Sequence, residues 1–283
     1  MLLENAAPAK KGSLLGNPIG SLSALYDQRW LVVYFVQRQL TRSYQGSFLG
    51  FLWVFLSPLL LVALYTLVFS KIIGIRVNSV TGDSSLNFGL YLYCGLLPFM
   101  AYSETMSQSV NIIRSNSSLV QKVVFPSEML PLTSVITSFV DKLFGLSALL
   151  VVLVVLNHRL EWTLLLLPPF LLLQLVFNLG LSYFFAVIGV YLPDLREALN
   201  TIVRASFFIT PIFWSADKVH GKMRLIVDLN PVAYLVGMYR DLILEGKLPG
   251  GMATMWFGLF SAGLLIVGFT LFVRVKRQFP DLI

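Results

Sequence analysis

The chain has 283 residues, 57% of them hydrophobic and 12% charged, with a mean hydropathy of +0.78. A water-facing surface needs roughly twice that charged fraction, so a soluble fold is excluded and the main solvent is lipid. The single cysteine, Cys94, excludes a disulfide framework, and two histidines, His158 and His220, leave little material for a zinc centre.

Residues 1–21 lack the apolar core of a cleavable signal and read as a cytoplasmic N-terminal tail. Residues 22–45 follow as an amphipathic interfacial helix. Leu22, Tyr26, Trp30, Val33, Leu40 and Tyr44 recur at intervals of three, four or seven, with Asp27, Arg38 and Arg42 opposite. Arg29 falls on the apolar arc and Leu31 and Phe35 on the polar one, so part of this helix is expected to pack against protein.

A membrane crossing takes about 20 apolar residues at a rise of about 1.5 Å each. Six stretches qualify: Ser43 to Ser70, Leu86 to Val110, Leu130 to Asn157, Trp162 to Leu192, Ala198 to Ala216, and Leu248 to Val273, the fifth being the weakest. Gly46 and Gly50 open the first span as a small-xxx-small pair, which suits close helix approach or dimer packing. Trp53, Phe55, Tyr65 and Phe69 in span one, and Phe207, Phe208, Phe213 and Trp214 around span five, suit either belt anchoring or the lining of a path for a sugar polymer.

Two connections are unlike passive linkers. Between spans two and three, residues 115–128 place Leu119, Val120, Val123, Val124 and Phe125 beside Lys122 and Glu128, with Pro126 as punctuation. That composition fits a short helix docking another protein, or a loop folded back on its own spans. Between spans five and six, residues 228–246 carry apolar runs too short to cross, interrupted by Arg240 and Asp241. They read as short re-entrant or interfacial helices, possible parts of an extracytoplasmic lid.

The expected fold is therefore an all-α integral membrane protein of six transmembrane helices over residues 46–273, with a cytoplasmic tail over 274–283. Lys and Arg divide twelve against eight between the two sides, Lys142 lying inside a span, which puts both termini in the cytoplasm. Glu104, Asp141, Lys142 and Arg204 fall inside spans and need partners. Asp141 and Lys142 are consecutive and do not share a helix face, so the pairings suggested are Asp141 with Arg204 and Lys142 with Glu104, in a structural role. No nucleotide-binding glycine loop, acid cluster, Ser–His–Asp set or metal-ligand spacing occurs in the sequence. An ion-driven carrier would be expected to show inverted repeats around midplane acids, and no convincing repeat is found.

The segment RSYQGSFLGFLWVFLSP, Arg42 to Pro58, resembles the first-span signature of type-2 ABC exporter permeases that move cell-surface polysaccharides. SLVQKVVFPSEMLP and NPVAYLVGMYRDLIL resemble that family's second and third signatures, in the same order and at comparable spacing. Within the family the chain looks closest to O-antigen (lipopolysaccharide) export permeases, with teichoic acid and capsule exporters as near relatives. The resemblance implies a homodimer in the bacterial inner membrane with two copies of a separate ATPase subunit. ATP and Mg would be bound there and no cofactor here. Spans one and five would line the channel, with Trp53, Tyr65, Phe69, Phe207, Phe208, Phe213 and Trp214 along it. Leu119, Val120, Lys122, Phe125, Pro126 and Glu128 would belong to a coupling helix, and Asn230, Pro231, Tyr234, Tyr239 and Arg240 to periplasmic gate helices. The cargo implied is a polysaccharide on a polyprenyl-pyrophosphate lipid. Arg29, Arg38 and Arg42 are the candidates for its headgroup, with membrane lipid or the ATPase as the other partners open to them.

Overall fold

Proline and glycine set most of the element boundaries. The computed structural model describes residues 18–44, 50–74, 84–121, 125–155, 161–216 and 219–283. Pro18 opens α1 (Pro18–Asp27), its fixed φ suiting a first helical turn. At Gln28 the helix breaks, with Leu31 N donating to Gln28 O at 2.9 Å, and α2 (Arg29–Tyr44) continues. The helix expected over 22–45 is thus two helices that begin earlier. Gly50, at φ +51°, starts a 3-10 turn into α3 (Trp53–Tyr65), which runs on as π-helical turns over Thr66–Ile72. Gly46 lies outside the described residues, and a Cβ on Gly50 would meet nothing within 4 Å. The positive φ of Gly50 turns the chain into the helix, and among the described residues no neighbour packs against it.

The remaining helices are α4 (Ser84–Ser109), α5 (Ser117–Val120), α6 (Met129–Val155), α7 (Leu167–Tyr191), α8 (Leu195–Ile209), α9 (Lys222–Asp228), α10 (Pro231–Arg240), α11 (Gly251–Val275) and α12 (Phe279–Leu282). Among the described residues there is no strand. Among the described residues three helical stretches are long and apolar enough to cross a membrane, Met129–Val155, Trp162–Tyr191 and Gly251–Leu282, and Phe55–Phe69 is a shorter apolar helix. The 26-residue α4 is long enough but more polar, and its position explains why. It packs against α3, α6, α7, α8 and α10, so its sides face protein, with Phe88, Leu92, Cys94 and Leu97 among its buried side chains.

Side-chain contacts fix the directions of the helices. Gln108 meets Ser134 and Glu104 meets Ser138, so α4 and α6 are antiparallel. Gln174 donates to Pro98 O and Ser109 to Ser182, so α4 and α7 are parallel. Phe207 packs on Phe99, with Ser206 beside Tyr102, so α8 opposes α4. The α7/α11 pair is parallel and the most intimate of all. A Cβ on Gly180 would lie 2.7 Å from Leu265 N, and one on Gly268 would lie 2.7 Å from Gly180 O. Only glycine permits that approach of two backbones. Gly89 faces Thr66, whereas Pro58 lies with Tyr93 beside Gly145, so α3 also opposes α4; α3, α6 and α8 run one way along the bundle and α4, α7 and α11 the other.

Two expectations are corrected. The stretch from Ala198 to Ala216 is not one helix: α8 ends at Ile209, and Thr210 is extended at ψ 134°. Pro211 is the cause, because its ring disfavours the helical region for the residue before it. The proposed Asp141–Arg204 pair is absent; Arg204 is exposed on α8, whereas Lys142 Nζ reaches Asp141 at 2.7 Å as well as Glu104 at 3.1 Å. Consecutive residues diverge at Cβ, yet the four-carbon stem of lysine is long enough to bend back to its neighbour. Glu104 also accepts from Gln108 at 2.9 Å and from Ser138 at 2.7 Å, so the three ionised groups sit in a satisfied polar seam between α4 and α6.

Candidate functional site

At the end of the bundle where α4 and α7 finish, α2 leans across α6 and leaves a cavity of about 730 Å3. Arg38 and Arg42 line it from α2 and Arg196 from the first turn of α8. Ser107, Gln108 and Asn111 at the end of α4, and Thr133 and Ser134 of α6, supply neutral hydrogen-bonding groups. Among the described residues no acidic side chain lines the cavity. Each guanidinium can present a planar fork to phosphate oxygens, which is the chemistry a multiply charged anion would need here. The polar seam opens into the same hollow, because Gln108 and Ser134 belong to both.

Of the three arginines expected at such a site, Arg38 and Arg42 are brought together and Arg29 is not. Arg29 lies over the Tyr26 ring at 4.9 Å, away from the cavity. Arg196, which the sequence did not single out, takes its place. Tyr26, Trp30, Val33 and Tyr34 of α1 and α2 face outward, more than half exposed, whereas Phe35 and Val36 turn toward the protein. Phe35 meets Phe125 edge-on with ring centroids 5.8 Å apart.

The floor of the hollow is the connection from α4 to α6. Arg114 fastens it, donating to Val190 O at 2.7 Å and Gly189 O at 3.3 Å, where α7 runs out of its own donors. A Cβ on Gly189 would lie 1.9 Å from Val110 O, so the end of α4 rests directly on the α7 backbone. Helix α5 spans four residues in place of the longer helix expected over 115–128, and Lys122 lies outside the described residues. Val120 and Glu128 are buried, Leu119, Phe125 and Pro126 are half-buried, and the exposed side chains are Ser115, Ser118 and Gln121. Glu128 pairs with Lys276 beyond α11, while its carbonyl accepts from Tyr183 Oη at 3.0 Å.

At the opposite end, the gate candidates surround the break after α8. Once Pro211 has ended that helix, the carbonyls of Pro211 and Ile212 are buried without helical partners. Arg240 supplies them, donating to Pro211 O at 2.6 Å, to Ile212 O and to Tyr91 O at 3.3 Å, with its guanidinium 3.5 Å from the Tyr91 ring centroid. Asn230 caps α10 by accepting from Val232 N at 2.9 Å and donates to Thr210 Oγ1 at 3.0 Å, while Pro231 occupies the first turn. Tyr239 donates to the buried Gln174 at 2.5 Å and Tyr234 to Thr254 at 2.7 Å. These residues are fasteners of this end of the bundle.

The aromatic residues divide into two groups. Tyr65 and Phe69 pack on α4 through Phe88, and Phe207 and Phe213 cluster against Phe99. Trp53 and Phe208 are exposed, and Trp214 Nε1 donates to Phe208 O at 3.3 Å.

Residues 31–244 match the family described as ABC-2 type transporter. The chain belongs to this family. Among its relatives is the O-antigen export system permease protein RfbA of Myxococcus xanthus, 30% identical over 259 residues, covering 91% of this chain and 96% of the relative. A protein of the same name from Klebsiella pneumoniae is 25% identical over 267 residues, covering 93% and 97%. The polysialic acid transport protein KpsM of Escherichia coli is 22% identical over 244 residues, covering 82% and 88%. Within this ABC-2 chain, sequence reasoning missed Arg114, Arg196 and Lys276 as site residues. Each is a single cation near the end of an apolar stretch, and only the fold shows which carbonyl, cavity or carboxylate it faces.

Proposed function

We propose that the chain is the membrane permease subunit of an ABC transporter that exports a polysaccharide carried on a polyprenyl-pyrophosphate lipid, with O-antigen as the cargo. The observation that carries this reading is the match to an O-antigen export permease across 91% of this chain and 96% of that relative. Capsule polysaccharide is the second reading, favoured by the likeness to a polysialic acid transport protein.

In this reading six helical passages cross the bacterial inner membrane with both termini cytoplasmic. The alternating directions of α3, α4, α6, α7, α8 and α11 support it, the fifth passage being completed by the irregular residues after Ile209. Two copies of the chain form the channel, and two copies of a separate ATPase subunit drive it, engaging the 115–128 segment. The lipid pyrophosphate enters beside Arg38, Arg42 and Arg196, whose fixed positive charge compensates the phosphates as they leave water. The exposed apolar and aromatic faces of α3 and α8 meet the second copy and the polymer, and Arg240 and Asn230 hold the far end.

The test is coexpression of the tagged chain with its genomic neighbours, extraction in mild detergent, and measurement of stoichiometry and surface polysaccharide. A one-to-one complex with ATPase activity, and loss of surface polymer when the chain is deleted, is the expected result. Recovery of the chain's own oligomer without any ATPase would refute the reading.

A further inference from the structure

Glu128 presents a physical problem that the export reading leaves unanswered. Its side chain is 4% exposed, yet it sits in a turn just before α6, where water would be the ordinary partner of a carboxylate. Its counter-ion comes from 148 residues further along the chain: Lys276 Nζ, which also donates to Ser21 Oγ of α1 at 3.2 Å. Three residues beyond Lys276, Phe279 is fully buried, its ring centroid 5.2 Å from that of Phe272. There it joins an apolar cluster with Ile113 ahead of α5, Val120 at the end of α5 and Leu130 at the start of α6. The tail expected to be a cytoplasmic extension is thus attached to the α4–α6 connection by an ion pair, by apolar packing and by Gln121 Nε2 donating to Ile283 O at 3.3 Å.

We propose that residues 276–283 are a brace that fixes the α4–α6 connection, at Val120 and Glu128, to α11 and α7, with Lys276 as its positioning residue. This rests on the reading that the 115–128 segment receives the movement of the ATPase. A buried ion pair adds little net stability compared with apolar side chains of the same size, but it tolerates few alternative geometries. Such a pair therefore acts on position. With Lys276 on one side and Tyr183 holding the Glu128 carbonyl on the other, a push on the connection moves α7 and α11 with it. Without the pair, the connection yields locally, and ATP is hydrolysed without moving the helices.

The experiment uses the full complex in cells whose surface polymer depends on it, and reads two quantities: ATP hydrolysis by the purified complex, and surface polysaccharide made from the cell's own lipid-linked polymer. Lys276→Met is expected to retain the ATPase subunit and to hydrolyse ATP within about twofold of the unmodified complex. Export should fall about tenfold, within the range by which residues outside either site change coupling. The charge-swapped chain, Lys276→Glu with Glu128→Lys, is expected to recover export to within about threefold. Should Lys276→Met fail to accumulate, Lys276→Met with Glu128→Gln carries the same test, because it leaves no buried charge alone. Unchanged export per ATP in the neutral chain overturns the brace, as does an equal loss in the neutral and charge-swapped chains. An unmodified chain that binds no ATPase retires the export reading instead, before any variant is made.

Discussion

Replacing Arg240 by methionine keeps most of the side-chain volume and removes every donor. Two buried carbonyls, those of Pro211 and Ile212, lose their partners, and Tyr91 O loses a third contact. A buried acceptor left unpaired costs about 1–3 kcal/mol. Hydrogen bonds between membrane helices fall at the low end of such values, so about 3 kcal/mol for the set is the working figure. At 1.4 kcal/mol per decade this raises the population of the locally opened state about 100-fold. The chain carries its own reporter: Cys94 is the sole cysteine, fully buried, and next to Gly95, where a Cβ would lie 2.7 Å from the Arg240 guanidinium. Labelling by a thiol-reactive dye in detergent micelles should accelerate about 100-fold in Arg240→Met, and about tenfold in Arg240→Lys, which retains the charge but not the planar fork. Labelling within threefold of the unmodified chain in Arg240→Met would show that the carbonyls find other partners and that Arg240 does not hold this end together.

Gly189→Ala places a methyl group against Val110 O, backbone against backbone, and should lower stability by about 1–3 kcal/mol, read as a fall in the detergent melting temperature. Tyr239→Phe leaves the buried Gln174 Oε1 short of a donor and should cost about 1–3 kcal/mol in the same assay; an unchanged melting temperature would count against the bond. Lys142→Met should destabilise by about 1 kcal/mol, a modest figure because Glu104 and Asp141 are about one-third exposed, and adding Glu104→Gln should recover at least half of it. Removing Arg38 and Arg196 together should reduce export while leaving ATPase association intact; normal surface polymer in that double variant would exclude the cavity as the anion's entrance.

How much of this was legible follows from which interactions are local. Apolar length marks α6, α7 and α11 without ambiguity, because the bilayer requirement is met along a single helix. Pro211 could have marked the end of α8, since its effect falls on the preceding residue, but the charge-free run to Ala216 masked it. The Glu104–Lys142 contact was one of two pairings that charge alone suggested. The cavity was half legible: Arg38 and Arg42, four residues apart, share a face of α2, whereas Arg196 arrives through the packing of another helix. Lys276 and Glu128, 148 residues apart, carry no local mark of partnership, and neither does Arg240, whose partners are backbone carbonyls invisible in any pattern of residue types.

The glycine crossing of α7 and α11 has a mechanical consequence. With backbone in contact at two levels, neither helix can roll or slide on the other without first separating, so the pair behaves as a stator. The other side of the bundle is built from interrupted pieces: α3 loosens into π turns at its far end, and α8 stops at a proline and resumes as irregular chain. Distortion concentrates where the hydrogen-bond ladder is already broken. On the proposed export reading, α3 and α8 are the helices expected to move against this pair, so a disulfide joining α7 to α11 should leave transport intact where one joining α3 to α4 would arrest it.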